Sequence, residues 1–254
     1  MLKPLALRRL ALAVVTSVGV ASVGLAGPAL AQLSENWTRC VNEGAKFAPE
    51  SAIASCSAII DSGKETRTNL AIGYNNRGRA FRDKGDKDRA IADYTKAIEL
   101  NPQLAVAFTN RGIAYKEKGD FDRAITDYSR AIAINPSDGL NYNNRGWPHF
   151  KKGEYDKAIA DYTKAIDLNF RNALTYHARA DAYSEKGDDD RAIADYTRAI
   201  EMSPRMVSAY SNRGVSYENK GDKERAIADY RRALAIDAND KFSSDALKRL
   251  GVSP

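Results

Sequence analysis

Most of this chain alternates apolar and polar positions at the spacing of amphipathic helices, and the pattern repeats every 34 residues. Five such units run over 71–104, 105–138, 139–172, 173–206 and 207–240. Each unit holds two apolar-periodic segments of helical length, separated by a Lys-Gly-Asp turn or a close variant of it. The pattern predicts five helical hairpins stacked in one array, in which each hairpin packs only against its neighbours.

The turn residues predict where these helices begin and end. Glycine lets the first helix of a unit end in a left-handed conformation, and the aspartate after it can cap the second helix. The predicted caps are Asp86, Asp120, Asp188 and Asp222, with Glu154 as a weaker substitute in the third unit. Asn101-Pro102, Asn135-Pro136 and Ser203-Pro204 then end the second helix, because proline disfavours helical geometry in the residue before it.

Small residues occupy the offsets at which two helices approach closely, and large residues fill the gaps between hairpins. The small positions of the first helix are Gly78, Gly112, Gly146, Ala180 and Gly214, and those of the second are Ala90, Ala124, Ala158, Ala192 and Ala226. The large residues are Tyr94, Tyr128, Tyr162, Tyr196 and Tyr230. After the last unit, 241–254 predicts an amphipathic capping helix with Phe242, Ala246, Leu247 and Leu250 facing inward.

These offsets make the chain resemble the tetratricopeptide repeat (TPR) family, as a secreted, bacterial-type member. The pattern is aromatic-x3-Gly-x2-aromatic, as in Tyr74, Gly78 and Phe81, then Ala-x3-Tyr-x2-Ala, then Pro. The resemblance covers nearly all of the chain after residue 31. It implies an all-α, right-handed superhelical solenoid of antiparallel helix pairs, whose first helices line a concave groove.

Asparagine recurs at one offset of the first helix, and in the family this offset faces the groove. The row is Asn76, Asn110, Asn144 and Asn212, with Ala178 interrupting it. Some family members hold an extended peptide by its backbone there, because an amide side chain both donates and accepts hydrogen bonds. The alternative is an asparagine that bonds only its own helix or water.

The third unit departs from the others in the run Asn-Asn-Arg-Gly-Trp-Pro-His-Phe. The resemblance places Trp147 and Phe150 at groove offsets, with Pro148 between them. Proline inside a helix removes a backbone hydrogen bond, so we expect it to free the carbonyl of Asn144 and bend the helix. Exposed aromatic residues beside a bend suit an anchoring site. The alternative is local sequence drift, with Trp147 folded back onto a neighbour.

Every unit has arginine just before the glycine, where the family usually has an apolar residue, and aspartate 16 residues later. The two positions face each other across the hairpin, so we interpret them as structural ion pairs, because a partly buried arginine is tolerated only when paired. The alternative is a row of arginines that grips an acidic partner. The pairs are Arg77 with Asp93, Arg111 with Asp127, Arg145 with Asp161, Arg179 with Asp195, and Arg213 with Asp229.

The segment 1–31 predicts a secretory signal peptide that is cleaved after Ala31. It has a basic start, an apolar stretch over 10–26, and the small-x-small sequence Ala29-Leu30-Ala31. This predicts export across the inner membrane to the periplasm, without stable membrane insertion after cleavage. The competing interpretation is an uncleaved membrane anchor.

Residues 32–70 predict a divergent helical hairpin that contains both cysteines of the chain, Cys40 and Cys56. A hairpin that turns at Ala48-Pro49 places the two cysteines opposite each other. Because the predicted compartment is oxidising, we expect a disulfide between them, which stabilises such a loop by roughly 3 kcal/mol. Two buried thiols are the alternative.

Charge and composition argue against some classes of function. The formal net charge is +6, but Lys3, Arg8 and Arg9 lie in the first 31 residues, which contain no acidic residue, so the rest carries only +3. This weak charge does not indicate nucleic-acid binding. The two histidines, His149 and His177, lie 28 residues apart in different units, and no spacing predicts a metal site or a cofactor.

The resemblance therefore implies a non-enzymatic scaffold that binds a peptide or an extended protein segment in the groove of a TPR superhelix. Two other functions are consistent with the same pattern. One is self-association of the array into a homo-oligomer, and the other is a regulatory subunit or adaptor of a cell-envelope enzyme. A repeated scaffold does not encode the identity of its partner.

Overall fold

A computed structural model describes residues 28–253, which form thirteen α-helices and one short 3-10 helix and contain no strand. The first hairpin consists of α1 (Pro28–Val41) and α2 (Pro49–Asp61), joined through the 3-10 helix Glu43–Ala45. The next ten helices are α3 (Arg67–Asp83), α4 (Lys87–Leu100), α5 (Ala105–Glu117), α6 (Phe121–Ile134), α7 (Gly139–Lys151), α8 (Tyr155–Asp167), α9 (Ala173–Glu185), α10 (Asp189–Met202), α11 (Val207–Asn219) and α12 (Lys223–Ile236). The last is α13 (Lys241–Arg249).

Most of the predicted signal peptide, including its whole apolar stretch over 10–26, lies outside the described residues. Helix α1 begins at Pro28 and continues past the predicted cleavage point after Ala31. Between residues 28 and 253, no helix has both the length and the apolar character needed to cross a membrane.

The helices pack as successive hairpins, and each hairpin also contacts the next one. First helices contact one another along the array, α3 with α5, α5 with α7, α7 with α9, and α9 with α11. Successive second helices, such as α4 and α6, approach each other less closely. The array therefore curves toward its first helices, which line the inner face. This is the all-α superhelix that the repeat pattern predicts.

The turns between paired helices have the predicted chemistry in four of the five repeats. Each turn glycine is left-handed, with φ from 73° at Gly153 to 88° at Gly85. The four turn aspartates each accept a hydrogen bond from the backbone N–H three residues later, at 3.1 Å. Glu154 does not cap its helix, and instead its carboxylate lies 2.6 Å from Nδ1 of His149. The longer glutamate side chain thus joins the two helices of the third repeat.

A tyrosine ring packs directly on a glycine in four repeats. These tyrosine side chains are almost completely buried. A Cβ added at the facing glycine would lie 2.7–2.8 Å from Cε1 of the ring. These contacts are Gly78 with Tyr94, Gly112 with Tyr128, Gly146 with Tyr162, and Gly214 with Tyr230. The absence of a side chain therefore sets how closely the two helices approach.

Each repeat arginine joins three helices. Arg111 donates from Nε and Nη2 to the two carboxylate oxygens of Asp127, both at 2.8 Å, and from Nη1 to the Thr95 hydroxyl of the preceding repeat at 3.0 Å. The hydrogen bonds to Asp127 raise the pKa of Arg111 above its ordinary value. The other four pairs have the same geometry, with the third bond going to Ser57, Ser129, Thr163 and Thr197. These guanidinium groups are directed between helices.

A second set of ion pairs links the turns of successive repeats on the edge of the array. In each pair, the lysine directly follows the first helix of one repeat. Its partner is an aspartate 30 residues earlier, in the first turn of the second helix of the preceding repeat. The pairs are Lys118 with Asp88, Lys152 with Asp122, Lys186 with Asp156, and Lys220 with Asp190. Because their aspartates are more than four-fifths exposed, these pairs contribute little to stability.

The two ends of the array are closed differently. At the start, a disulfide joins Cys40 to Cys56, as predicted, and the pair is fully buried with Ile59 beneath Trp37. The bond crosslinks α1 to α2, so this short hairpin does not depend on apolar burial alone.

At the other end, α13 covers the last repeat with Ala246 and Leu247 buried and Leu250 packed beside them. The expectation that Phe242 faces inward is wrong, because its side chain is 52% exposed. Successive helical residues are about 100° apart, so Phe242 lies at the rim of the face formed by 243, 246, 247 and 250. It contacts only the edge of the Tyr230 ring, at a centroid distance of 6.4 Å.

Candidate functional site

The predicted asparagine row lies on the inner face, but several of its amides bond within the protein. Asn110 donates from Nδ2 to Oδ1 of Asn75 in the preceding repeat at 3.0 Å, and Asn75 donates to Asn76 at 3.3 Å. Asn76 is itself buried. Asn212 donates to Asp181 at 3.0 Å. Asn144 is half-buried and, among the described residues, its amide has no hydrogen-bond partner.

The polar residues just before this row connect successive repeats. Thr109 donates to Oδ1 of the buried Asn141 at 2.7 Å, and Thr175 donates to Asn143 at 2.9 Å. At the end of the array Ser211 and Ser243 lie 2.9 Å apart through their hydroxyl oxygens. These side chains hold neighbouring first helices in register, which places the groove residues at a regular spacing.

The aromatic residues of the third repeat contact their neighbours and remain accessible. Trp147 is 37% exposed, and its ring meets the edge of Phe121 from the preceding repeat at 5.4 Å. The ammonium groups of Lys116 and Lys151 lie 5.7 and 5.4 Å from the same ring. Trp147 thus rests on a neighbour and still presents an accessible surface, and its role as an anchor stays a prediction.

Pro148 lies fully buried inside α7, which is helical from Gly139 to Lys151. Phe150, two residues later, packs against Tyr155 at a centroid distance of 5.5 Å. Its ring also forms one wall of a cavity on the inner face. Through Trp147 and Phe150, α7 therefore contributes to two adjacent surfaces.

This cavity, which we call the Asp181 pocket, has a volume of about 310 Å³ and opens between α9 and α11. Its wall combines two aromatic rings, one aliphatic side chain, two carboxylates and two further polar side chains. The lining residues are Phe150, Asp181, Ser184, Glu185, Tyr196, Asn212 and Val215. No lysine or arginine is among them. Of these lining residues, only Phe150 and Asn212 are candidate binding residues by the sequence pattern.

Asp181 is held in place by neighbours on three sides. Its Oδ1 accepts from the Tyr196 hydroxyl at 2.7 Å and from Asn212 at 3.0 Å, and its Oδ2 lies 3.2 Å from Nδ1 of His177. Burial, and then the nearby negative charge of Asp181, raises the pKa of Tyr196 far above its usual value, so the hydroxyl stays protonated and donates. The carboxylate is thereby fixed with part of its surface open to the pocket.

Tyr196 stands in the repeat whose first helix has alanine in place of the glycine of the other four. In those four repeats a Cβ added at the glycine would lie within 2.8 Å of the tyrosine ring, so Ala180 excludes the same contact. The Tyr196 hydroxyl donates to Asp181, and its ring contacts His177 at 5.4 Å. The fourth repeat thus departs from the others both at Ala180 and at Asp181.

The sequence does contain a signal for this site. The residues at the Asp181 offset of the other repeats are Arg79, Ile113, Trp147 and Val215, so a carboxylate occurs there only in the fourth repeat. Within residues 28–253, no group of three or more His, Cys, Asp and Glu side chains is placed to hold a metal ion.

Comparison with known families matches most of this array. A family model described as tetratricopeptide repeat matches residues 177–241, and a second with the same description matches 105–138. A third, described as TPR repeat, matches 78–119 and 149–187. Together these matches cover more than half of the chain. No curated protein matches the sequence.

Several solved structures share the fold. A crystal structure of MamA is 28% identical, with a TM-score of 0.61 over 63% of this chain and 94% of that one. YrrB, described as a TPR protein with an unusual peptide-binding site, is 24% identical, with a TM-score of 0.67 over 76% and 97%. MamA from Desulfovibrio magneticus RS-1 is 16% identical, with a TM-score of 0.64 over 70% and 98%. The last two show likeness of fold alone.

Proposed function

Because this chain belongs to the tetratricopeptide repeat family, we propose that it is a non-enzymatic interaction scaffold that holds a peptide or an extended protein segment along its inner face. One observation carries the proposal. Helix α7 presents the unbonded amide of Asn144 one turn from the accessible Trp147 ring and two turns from Phe150. An amide can pair with a peptide unit, and aromatic surface supplies much of the binding energy at such sites.

The neighbouring repeat extends the same surface. Asn110 uses its Nδ2 to bond Asn75, which leaves its Oδ1 free to accept from a ligand N–H. Asn110 and Asn144 stand at one offset of adjacent first helices, so a segment that crosses α5 and α7 can meet both amides. YrrB, a protein of the same fold, is described as having a peptide-binding site, which supports a peptide as the ligand of this chain.

A peptide library tests this function. The wild-type protein and the Asn110→Ala/Asn144→Ala variant are applied to immobilised random peptides, and affinities are measured for the peptides that bind the wild type. We expect roughly thirtyfold weaker binding by the variant, because two hydrogen bonds of about 1 kcal/mol each are lost. Asn239→Ala, at an exposed turn away from the groove, is the matched control and should bind like the wild type. Equal binding by all three proteins would exclude the asparagine contacts.

We also propose that the protein acts outside the cytoplasm, in the periplasm, after removal of residues 1–31. The Cys40–Cys56 disulfide supports this proposal, because disulfides persist in oxidising compartments. Cell fractionation with N-terminal sequencing of the mature protein tests it. A mature N-terminus at Gln32 in the periplasmic fraction is the expected result, and an intact leader in the membrane fraction contradicts it.

A further inference from the structure

From the geometry of the Asp181 pocket we infer that it is a subsite for a cationic side chain, a lysine or arginine of the bound segment. This inference rests on the proposed function and adds the chemistry of one ligand residue. The pocket lies on the inner face next to the surface of α7, so a segment bound there passes its mouth.

The charge inside the pocket is not balanced by a lysine or an arginine. Asp181 and Glu185 both line it, and no lysine or arginine does. Oδ1 of Asp181 accepts from the hydroxyl of Tyr196 and the amide of Asn212, which are neutral donors, and Oδ2 lies 3.2 Å from Nδ1 of His177, which carries a charge only when it is protonated. Glu185 accepts only from the Tyr155 hydroxyl, at 3.2 Å. Lys186 of the neighbouring turn pairs with Asp156 on the outer edge, and the ammonium group of Lys151 lies 6.0 Å from the centre of the Phe150 ring.

The remaining walls suit the rest of a long basic side chain. Phe150 offers an aromatic ring, over which an ammonium or guanidinium group gains favourable electrostatic energy. Val215 offers an aliphatic contact for the methylene stem of lysine or arginine. Ser184 adds a hydroxyl that can accept a hydrogen bond. The cavity volume of about 310 Å³ falls at the lower end of the range for small-molecule pockets.

Asp181 is preorganised for this role. Tyr196 and Asn212 fix one carboxylate oxygen, so little conformational entropy is lost when a cation binds to the exposed side of the group. Among the other repeat tyrosines, Tyr230 also bonds a carboxylate, that of Glu218 at 3.0 Å, but this carboxylate is paired with Arg249. The pocket is therefore a feature of one position along the groove, which gives the bound segment a defined register.

The test uses N-acetyl-arginine amide as the cationic probe and N-acetyl-citrulline amide as its neutral counterpart of nearly equal shape. Each is titrated into the full-length protein at pH 8, where histidine side chains are ordinarily neutral, and backbone amide NMR signals are followed. We expect saturable shifts at Asp181, Ser184 and Val215 with the arginine probe, and at least fivefold weaker binding of the citrulline probe.

The Asp181→Asn variant should bind the arginine probe no better than the citrulline probe. This variant keeps an oxygen acceptor for Tyr196, and thermal unfolding checks that it folds. Asp190→Asn, an equivalent substitution at the outer edge, is the control and should leave the probe affinity unchanged. Equal binding of the two probes, unchanged binding by Asp181→Asn, or no shifts at the pocket overturns the inference.

The probe titration separates this inference from the proposed function. If the arginine probe binds at Asp181 and no library peptide binds, the pocket stands and the peptide-binding function fails. If library peptides bind without a preference for lysine or arginine and the probe does not bind, the function stands and the subsite fails.

Discussion

One arginine in each repeat joins three helices, which makes this residue a structural link rather than a ligand-binding group. In the second repeat, Arg111 bonds Asp127 across its own hairpin and Thr95 in the preceding one. Asp127 is only 3% exposed, and this arginine bonds both of its carboxylate oxygens. The alternative function, a row of arginines facing an acidic partner, does not fit guanidinium groups in which each of the three nitrogens already donates to a side chain of this protein.

The substitution Arg111→Met should destabilise the protein by about 2–3 kcal/mol, because it leaves the buried carboxylate of Asp127 unpaired. The cost is below that of a fully buried pair, since the Arg111 side chain keeps 18% of its exposure. Urea unfolding followed by circular dichroism measures the change. Arg130→Met, at an exposed position of α6, is the control and should change stability by less than about 0.5 kcal/mol. Similar losses in both variants would contradict the structural role.

Glycine at the tyrosine contact gives a second prediction at this scale. Gly112→Ala should lower stability by about 1–3 kcal/mol, because the new Cβ lies 2.8 Å from the Tyr128 ring and forces the helices apart. Gly73→Ala, in the middle of α3, is the matched control, since its Cβ meets Ile60 at an ordinary 3.5 Å. The control should be neutral or stabilising by up to about 1 kcal/mol from its higher helix propensity. Differential scanning calorimetry distinguishes the two, and a destabilised Gly73→Ala with a tolerated Gly112→Ala would contradict the packing.

Four of the five second helices of the regular repeats are capped by an aspartate that directly precedes their first residue. Hydrogen bonds from the side chain and the backbone N–H of Arg123 hold the pKa of Asp120 below its usual value. The folded state therefore favours the ionised carboxylate. The stability it contributes is present above the unfolded pKa of about 3.9 and is lost as the pH falls through the lower folded value.

The Tm of the Asp120→Asn variant should consequently lie about 1–2 °C below that of the wild type at pH 7. The difference between the two Tm values should be smaller at pH 3. Asparagine still caps the helix, so the difference isolates the charge. Thermal unfolding at a series of pH values measures it. Asp167→Asn, exposed at the end of α8, serves as the control for a change in overall charge. A variant whose deficit grows as the pH falls would reverse the expected sign.

The helices were predictable from sequence because one mechanism recurs at fixed offsets. Turn glycine, capping aspartate and terminal proline each act within a few residues, so five copies reinforce one interpretation. The exceptions arise where contacts between helices determine the position of a side chain. Glu154 is too long to cap and bonds His149, and Phe242 lies at the rim of α13 because the inward face is set by contacts with α12.

The groove was less predictable than the helices that build it. Asn110 and Asn212 occupy the offset expected to face a ligand, yet they bond Asn75 and Asp181 from neighbouring repeats. Such bonds depend on the register between helices about 30 residues apart in sequence. The Asp181 pocket likewise depends on the hydrogen bonds that Asp181 accepts from Tyr196 and Asn212, which lie on two other helices. When the repeats are compared with one another by sequence, these residues are visible only as departures from the pattern, without their partners.

For the whole molecule, the curvature of the array brings residues that differ from the repeat pattern onto one surface. First helices contact each other along the array while second helices spread apart, so Trp147, Phe150 and Asp181 share the inner face. The disulfide hairpin and α13 close the two ends. Stability is distributed over all the repeats, whereas the proposed recognition is concentrated in the third and fourth.

The most direct test of this account places the photoreactive amino acid p-benzoylphenylalanine at Trp147 on the inner face or, as a control, at Arg198 on the exposed side of α10. Each protein is irradiated with the tightest-binding library peptide, and covalent adducts are counted by mass spectrometry. The account predicts an adduct from position 147 that excess unlabelled peptide suppresses, and none from position 198. An adduct from position 198 without one from position 147 would contradict it.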